Sequence, residues 1–206
     1  MDPEFLDTDA EHEHDTTVTS ISITQDGDLD LDLVQQWIGT LLRSKGADIY
    51  RMKGIIAIAN SNNKFIYQAV HMIFSGEFDE KWAEGEKRSN TLVFIGKNLD
   101  HAELTASFKA CLNSPEVQAA KIAALRFKVG DAVECNTSDG WSRGKVVAVM
   151  WRDADMPPGV IAPYQVELDV VAVGKGKAPA RVTGEGSGNL IYAPIDTDDL
   201  IRSPVE

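Results

Sequence analysis

The stretch from Tyr50 to Gly76, YRMKGIIAIANSNNKFIYQAVHMIFSG, constrains the fold more than any other, together with Thr91 to Leu99, TLVFIGKNL. Ile55 to Ala59 is a short apolar run, Ser61-Asn62-Asn63 is turn chemistry, and Lys64 to Phe74 is rich in aromatic and branched side chains. That succession predicts a β-hairpin, because branched and aromatic residues suit a pleated surface while Ser and Asn reverse the chain through local hydrogen bonds. Neither arm alternates cleanly. In the second arm the strand period puts Phe65, Tyr67, Ala69 and Ile73 on one face and Ile66, Val70, Met72 and Phe74 on the other, so both faces are expected to meet apolar partners. The chain's own helices can cover one of them.

Upstream, Thr16 to Thr24 is β-branched and alternates at Ile21 and Ile23, which predicts a first strand. Asp26-Gly27-Asp28 turns the chain, and Asp30 is placed to cap a helix running to Lys45. Leu33, Val34, Trp37, Ile38, Leu41 and Leu42 form its apolar stripe, and Gly46 is expected to end it. After the hairpin, Ser75 to Asn90 reads as a long charged connection, either functional or pinned by Trp82. Thr91 to Ile95 is a further strand, and Asp100 caps a helix to Leu112 with Leu104, Phe108 and Cys111 inward. The expected order is β-α-β-β-β-α, an α+β sandwich with helices on one face of a mostly antiparallel, four-stranded sheet.

Asn113-Ser114-Pro115 interrupts the helical pattern, and the alanine-rich Glu116 to Ala124 predicts a short connecting helix. From Arg126 the character changes. Phe127 to Cys135 and Gly144 to Trp151 read as paired strands around the turn Ser138-Asp139-Gly140, with further short strands at Ala162 to Asp169, Asn189 to Ala193 and Leu200 to Arg202. Short strands separated by Gly and Pro turns predict a small five-stranded barrel, similar in outline to Tudor-like barrels. The expected division is a tail at residues 1–15, an α+β domain at 16–112, a linker at 113–125 and the small all-β barrel at 126–206.

Charge excludes some functions. Residues 1–15 hold seven acids and no Lys or Arg, whereas residues 16–112 hold twelve acids against ten bases and residues 113–206 hold thirteen against ten. The folded parts are nearly balanced, and no basic patch argues for a nucleic acid partner. No apolar run reaches membrane-spanning length and no signal peptide is evident, so no membrane partner and a cytoplasmic location are expected. Cys111 and Cys135 lie far apart and are expected to be reduced, structural thiols. Met1-Asp2-Pro3-Glu4-Phe5 has the look of an expression-vector remnant, which would make the chain a piece of a longer protein.

Arg51-Met52-Lys53-Gly54, then Tyr67-Gln68-Ala69-Val70-His71, then Arg88 and Leu92-Val93-Phe94-Ile95-Gly96-Lys97-Asn98-Leu99 carry a family signature. In order and spacing they resemble the R-x-K-G, Q-x-V-H and R-x-x-x-L-V-F-I-G-x-x-L series of the CobW carboxy-terminal domain over residues 15–112. The resemblance implies a domain that follows the GTPase domain of GTP-dependent metallochaperones linked to cobalamin synthesis and zinc delivery. It implies, as partners, the missing GTPase domain and a metal-dependent client protein.

The chain has no G-x-x-x-x-G-K-[ST] loop, and Gly174-Lys175-Gly176-Lys177 has neither its spacing nor its hydroxyl. Without that loop to cradle phosphates, and without the family's Cys-x-Cys-Cys motif, this stretch is expected to be non-catalytic, with GTP and magnesium bound only in the missing domain. His12 and His14, flanked by Glu11, Glu13 and Asp15, suit weak zinc binding, or they are incidental to a solvated acidic linker. Arg51 and Lys53 project from one strand face toward carboxylates or an acidic domain surface, or else form a solvated edge. Gln68, His71 and Arg88 complete the interaction candidates, with His71 read first as a hydrogen-bonded sheet histidine. Trp141, Trp151, Tyr164 and Tyr192 are either an aromatic pocket for a methylated cation or proline-rich peptide, or simply core. The reading is a regulatory and interaction part of a CobW-like GTPase; the rivals are a stand-alone peptide-binding module and a metal buffer acting through the His tail.

Overall fold

A computed structural model describes residues 18–70, 73–138, 140–169 and 189–205. They divide into two compact units, one holding the described residues to Ile58 with Asn62–Leu112, the other Ala59–Ser61 with those from Asn113 onward. His12, His14, His71 and the Gly174 to Lys177 loop lie outside the described residues. No helix among the described residues is long and apolar enough to cross a membrane.

The first unit runs β1 (Val18–Asp26), α1 (Leu31–Lys45), β2 (Ile49–Ala57), β3 (Asn63–Val70), β4 (Ile73–Lys81), β5 (Ser89–Lys97) and α2 (His101–Lys109). Its strands form one sheet in the order β1-β5-β2-β3-β4, with every pairing between them antiparallel. The expected order is therefore corrected by one strand. The run from Lys64 to Phe74 is not a single arm, because the chain reverses after Val70, and the supposed connection from Ser75 contains β4. No Gly, Pro or Asn marks that reversal, so the local turn chemistry that identified the other turns is missing there. The reversal also exchanges the faces of two residues. Ile73 pairs with Val70 on the exposed side, while Phe74 pairs with Ala69 and stacks on Tyr67 with ring centroids 6.3 Å apart.

Both helices begin as their sequences require. Asp30 accepts a hydrogen bond from the Leu33 N–H at 3.1 Å, and Asp100 accepts one from Glu103 at 2.9 Å, satisfying donors that the first helical turn leaves unpaired. Val34, Ile38, Leu41 and Leu42 of α1, with Leu104 and Phe108 of α2, are buried with Ile23, Met52, Ile56, Leu92 and Phe94 in one core. Burying each large apolar side chain contributes roughly 1.5 to 3 kcal/mol, which holds the helices to that side of the sheet. Gly46 ends α1 as expected, its N–H donating to the Leu42 carbonyl, though without a left-handed conformation. Its φ is −58°, and the chain leaves through a further turn in which Asp48 donates to Lys45.

The second unit contains α3 (Pro115–Ala124), β6 (Ala132–Thr137), β7 (Gly140–Trp151), β8 (Ala162–Leu168), β9 (Leu190–Ala193) and β10 (Ile201–Arg202). Its strands make an antiparallel sheet in the order β10-β6-β7-β8-β9. Five strands occur as expected, but among the described residues β9 and β10 are the two edges and do not pair, so no closed barrel forms. The stretch Phe127 to Asp131 is not strand, because Gly130 at φ +100° turns the chain and Asp131 caps the Lys128 N–H. Val133, Cys135, Val146, Tyr164, Val166 and Ile191 lead its core.

Candidate interaction face

β2 lies at the centre of the first sheet, and its residues alternate between two environments. Met52 and Ile56 face the helices and are fully buried, while Arg51, Lys53 and Ile55 are exposed on the opposite side. Strand register extends that side into rows. Arg51 lies between Ile95 and Val70, Lys53 between Val93 and Gln68, and Ile55 between Thr91 and Ile66. Beyond them the rows end on Ser20, Ser22 and Thr24 of β1 and on Ile73, Ser75 and Glu77 of β4. No helix of this unit covers this face among the described residues.

The face carries apolar area that a solvated sheet would normally replace with polar groups. Ile55 is 40% exposed, Val93 36%, Ile95 38%, Val70 57% and Ile73 79%. Arg51, Lys53, Gly54, Ile55, Thr91, Val93 and Ile95 line a shallow depression of about 410 Å³ in it. The charges here also differ from other cations of this unit. Lys45, Lys64, Lys87 and Arg88 each pair with a carboxylate, yet among the described residues Arg51 and Lys53 pair with none. Glu77 is the one carboxylate in those rows, two strands from β2.

The other candidates separate. Gln68 shares the open face beside Lys53. Arg88 does not: its guanidinium donates to Asp28 at 2.7 Å and to the Ile58 carbonyl at 2.9 Å, and lies over the Trp82 ring. Lys64 lies 5.2 Å from the centroid of the same ring and pairs with Glu80 and Glu86. Trp82 thus anchors the segment joining β4 to β5.

Nor do the four aromatics of the second unit form one pocket. Tyr164 is fully buried, accepting from the Phe127 N–H at 3.1 Å and donating to Asp196 at 2.7 Å, and burial pushes its phenol up to about 12. Trp141 stacks under the Arg202 guanidinium at 3.7 Å. Only Trp151 and Tyr192 adjoin, with ring centroids 5.7 Å apart. Among the described residues no three His, Cys, Asp or Glu side chains converge to hold a metal. Burial raises the Cys111 thiol to about 11 and the Cys135 thiol to about 12, so neither is a ready thiolate ligand or nucleophile.

Sequence reasoning missed Val93 and Ile95 as face residues, although their alternation with Leu92 and Phe94 was available as a signal. It also missed Asn90. That side chain is fully buried, accepts from the Ala57 N–H at 2.8 Å and donates to the Gln25 and Gly27 carbonyls at 2.7 Å, locking the sheet's end.

Fold and face together define an α+β unit with one sheet side packed by helices and the other left open. Residues 18–112 match the family described as the cobalamin synthesis protein cobW C-terminal domain. Among curated relatives, the chain is 38% identical over 65 residues to the zinc chaperone CobW of Pseudomonas aeruginosa, covering 32% of this chain and 17% of that one. It is 32% identical over 75 residues to the zinc chaperone YjiA of Escherichia coli, covering 36% and 23%. The chain thus spans about a fifth of the length of these relatives. A solved structure of the Zn(II)-bound YjiA GTPase from E. coli aligns with 46% of this chain and 30% of its own, at 29% identity and a TM-score of 0.45.

Proposed function

We propose that residues 18–112 are the non-catalytic regulatory and interaction part of a CobW-like, GTP-dependent zinc chaperone. The open sheet face serves as the surface on which the GTPase part, or the metal-dependent client, docks. The observation that carries this is the coincidence of the family match with a sheet side that is apolar, uncovered and studded with two cations lacking a carboxylate partner among the described residues. Interdomain surfaces mix apolar area and charge in this way. On this reading GTP and magnesium belong to the GTPase part, and zinc meets this chain only weakly, through His12 and His14.

The test has two arms. The reading frame from which the chain comes should encode a phosphate-binding loop and a Cys-x-Cys-Cys motif upstream; a frame without them defeats the proposal. The GTPase part mixed with this chain should form a complex that Val93→Asp weakens at least tenfold, while the chain alone gives no heat when titrated with GTP and magnesium. Micromolar GTP binding by the chain alone would contradict the proposed role.

A second reading concerns the other unit, where the adjoining, partly exposed rings of Trp151 and Tyr192 favour a peptide contact of the Tudor-like kind. Quenching of Trp151 fluorescence by proline-rich or methyl-lysine peptides, lost in Tyr192→Ala, is the expected result.

A further inference from the structure

We infer that the open face of the first sheet binds an acidic amphipathic helix of a partner, through apolar contact along Ile55, Val93 and Ile95 and carboxylate pairing with Arg51 and Lys53. This rests on the reading of that face as a contact surface and specifies the chemistry of what it contacts.

The dimensions fit a helix. Three rows two residues apart along the strands span roughly 13 Å, and five strands span roughly 19 Å, the footprint of one helix about 10 Å across and three to four turns long. The side chains fit an acidic one. Such a helix crosses the strands, and Arg51 and Lys53, two residues apart on β2, lie about 6.6 Å from each other across its width, where carboxylates bordering its apolar stripe on either side can reach them. Two such carboxylates on the helix meet two cations that have no carboxylate partner among the described residues, and they add direction to a contact whose affinity comes mainly from apolar area.

A second copy of this chain is a poorer occupant. Both cations lie on the central strand, so a two-fold pairing of the face with itself brings like charges together near its middle. Ser20, Ser22 and Thr24 on β1 offer such a pairing no carboxylate, and Glu77 lies two strands away.

The probes are two labelled synthetic helical peptides with the same leucine stripe, one bordered by glutamates and one by lysines, titrated into the full chain by fluorescence anisotropy. The glutamate peptide should bind at least tenfold more tightly, and raising the salt from about 0.05 to 0.5 M should narrow the gap. The double variant Arg51→Glu, Lys53→Glu should reverse the preference. Because both side chains are exposed, its circular dichroism should match the parent, and Val93→Asp should weaken both peptides. Equal binding of the two peptides, or binding of neither, overturns the inference. So does dimerisation in sedimentation that Val93→Asp abolishes, which would make a second copy the occupant. A tenfold gain in glutamate-peptide affinity on removing residues 1–15 also overturns it, by making the acidic tail the occupant. If the GTPase part binds the face but the charge reversal leaves that affinity unchanged, the acidic-helix inference fails and the functional proposal stands. If the reading frame lacks the phosphate loop while the chain still prefers the glutamate peptide, the functional proposal fails and the acidic-helix inference stands.

Discussion

The two sheets contain the same number of strands and are held together differently. The first has two helices to pack against, and α1 and α2 bury six apolar side chains between them. Among the described residues the second has none to spare, because α3 buries no residue. Charged groups pin its ends instead. Arg126 pairs with Asp196 and Asp198 and donates to the Ile201 carbonyl, while the buried Glu134 accepts from Arg202 at 3.0 Å and lies 3.4 Å from Arg143. Where helices supply apolar area, a sheet can leave its far side open for a partner. Where they do not, hydrogen-bonded ion networks take over the fixing of strand edges, and those depend on pH.

The largest effect should come from the helix-covered core. Phe94→Ala deletes a fully buried ring that meets Trp37 edge-on at 6.4 Å. It should cost about 3 to 5 kcal/mol, read from urea unfolding of the first unit. A cost under about 1 kcal/mol would mean that the helices do not carry this sheet. Next comes Asn90→Ala, which leaves the Ala57 N–H and the Gln25 and Gly27 carbonyls without their partner. About 2 to 3 kcal/mol should be lost, with faster amide exchange at Ala57 than at Met52. Equal exchange at both would show that the clamp is dispensable.

In the second sheet the effects should be smaller and set by pH. Tyr164→Phe removes one hydroxyl that joins Phe127 to Asp196 and should cost about 1 kcal/mol at neutral pH. Hydrogen bonding from Arg202, reinforced by Arg143 against burial, holds the Glu134 carboxyl below its ordinary value. Asp196 is also lowered, since hydrogen bonds from Tyr164 and Arg126 outweigh its burial. A carboxyl depressed in the folded state contributes stability above its unfolded pKa, near 4, and loses it as pH falls through the folded value. Acid should therefore unfold β6 and β10 at a pH that Glu134→Gln makes less sharply defined, as followed by the Trp141 signal. An acid limb with the same slope in that variant would assign the dependence to other carboxylates. Smallest of all, Val93→Asp on the open face should change unfolding free energy by no more than about 0.5 kcal/mol, because exposed positions tolerate substitution. A larger loss would mean that this face is not free.

Most of the elements could be read in advance, and the reason is local. Asp30 and Asp100 are capping residues in front of apolar stripes, and their side chains do cap. The turn before Lys64 and the hairpin at Gly140 carry their own turn residues. The exposed pairing of Arg51 and Lys53 with Ile55 follows from a period of two along one strand. The reversal after Val70 could not be read this way, since nothing local marks it, and missing it removed β4 and misplaced Ile73 and Phe74. Tyr164 and Trp141 read as possible partners in one pocket because aromatic character says nothing about which side of a strand faces the core.

The sequence by itself determined the alternation within each strand, the helix starts and the match to the cobW C-terminal family over residues 18–112. Those properties depend on neighbours a few positions apart. Only the tertiary structure decided which of two apolar sheet faces the helices would take, that Asn90 would tie Ala57 to Gln25 and Gly27, and that Arg88 would close on Asp28 while Arg51 kept to the open face. Each of those ties joins residues thirty or more positions apart, and strand order, which no local pattern encodes, is what brings them together.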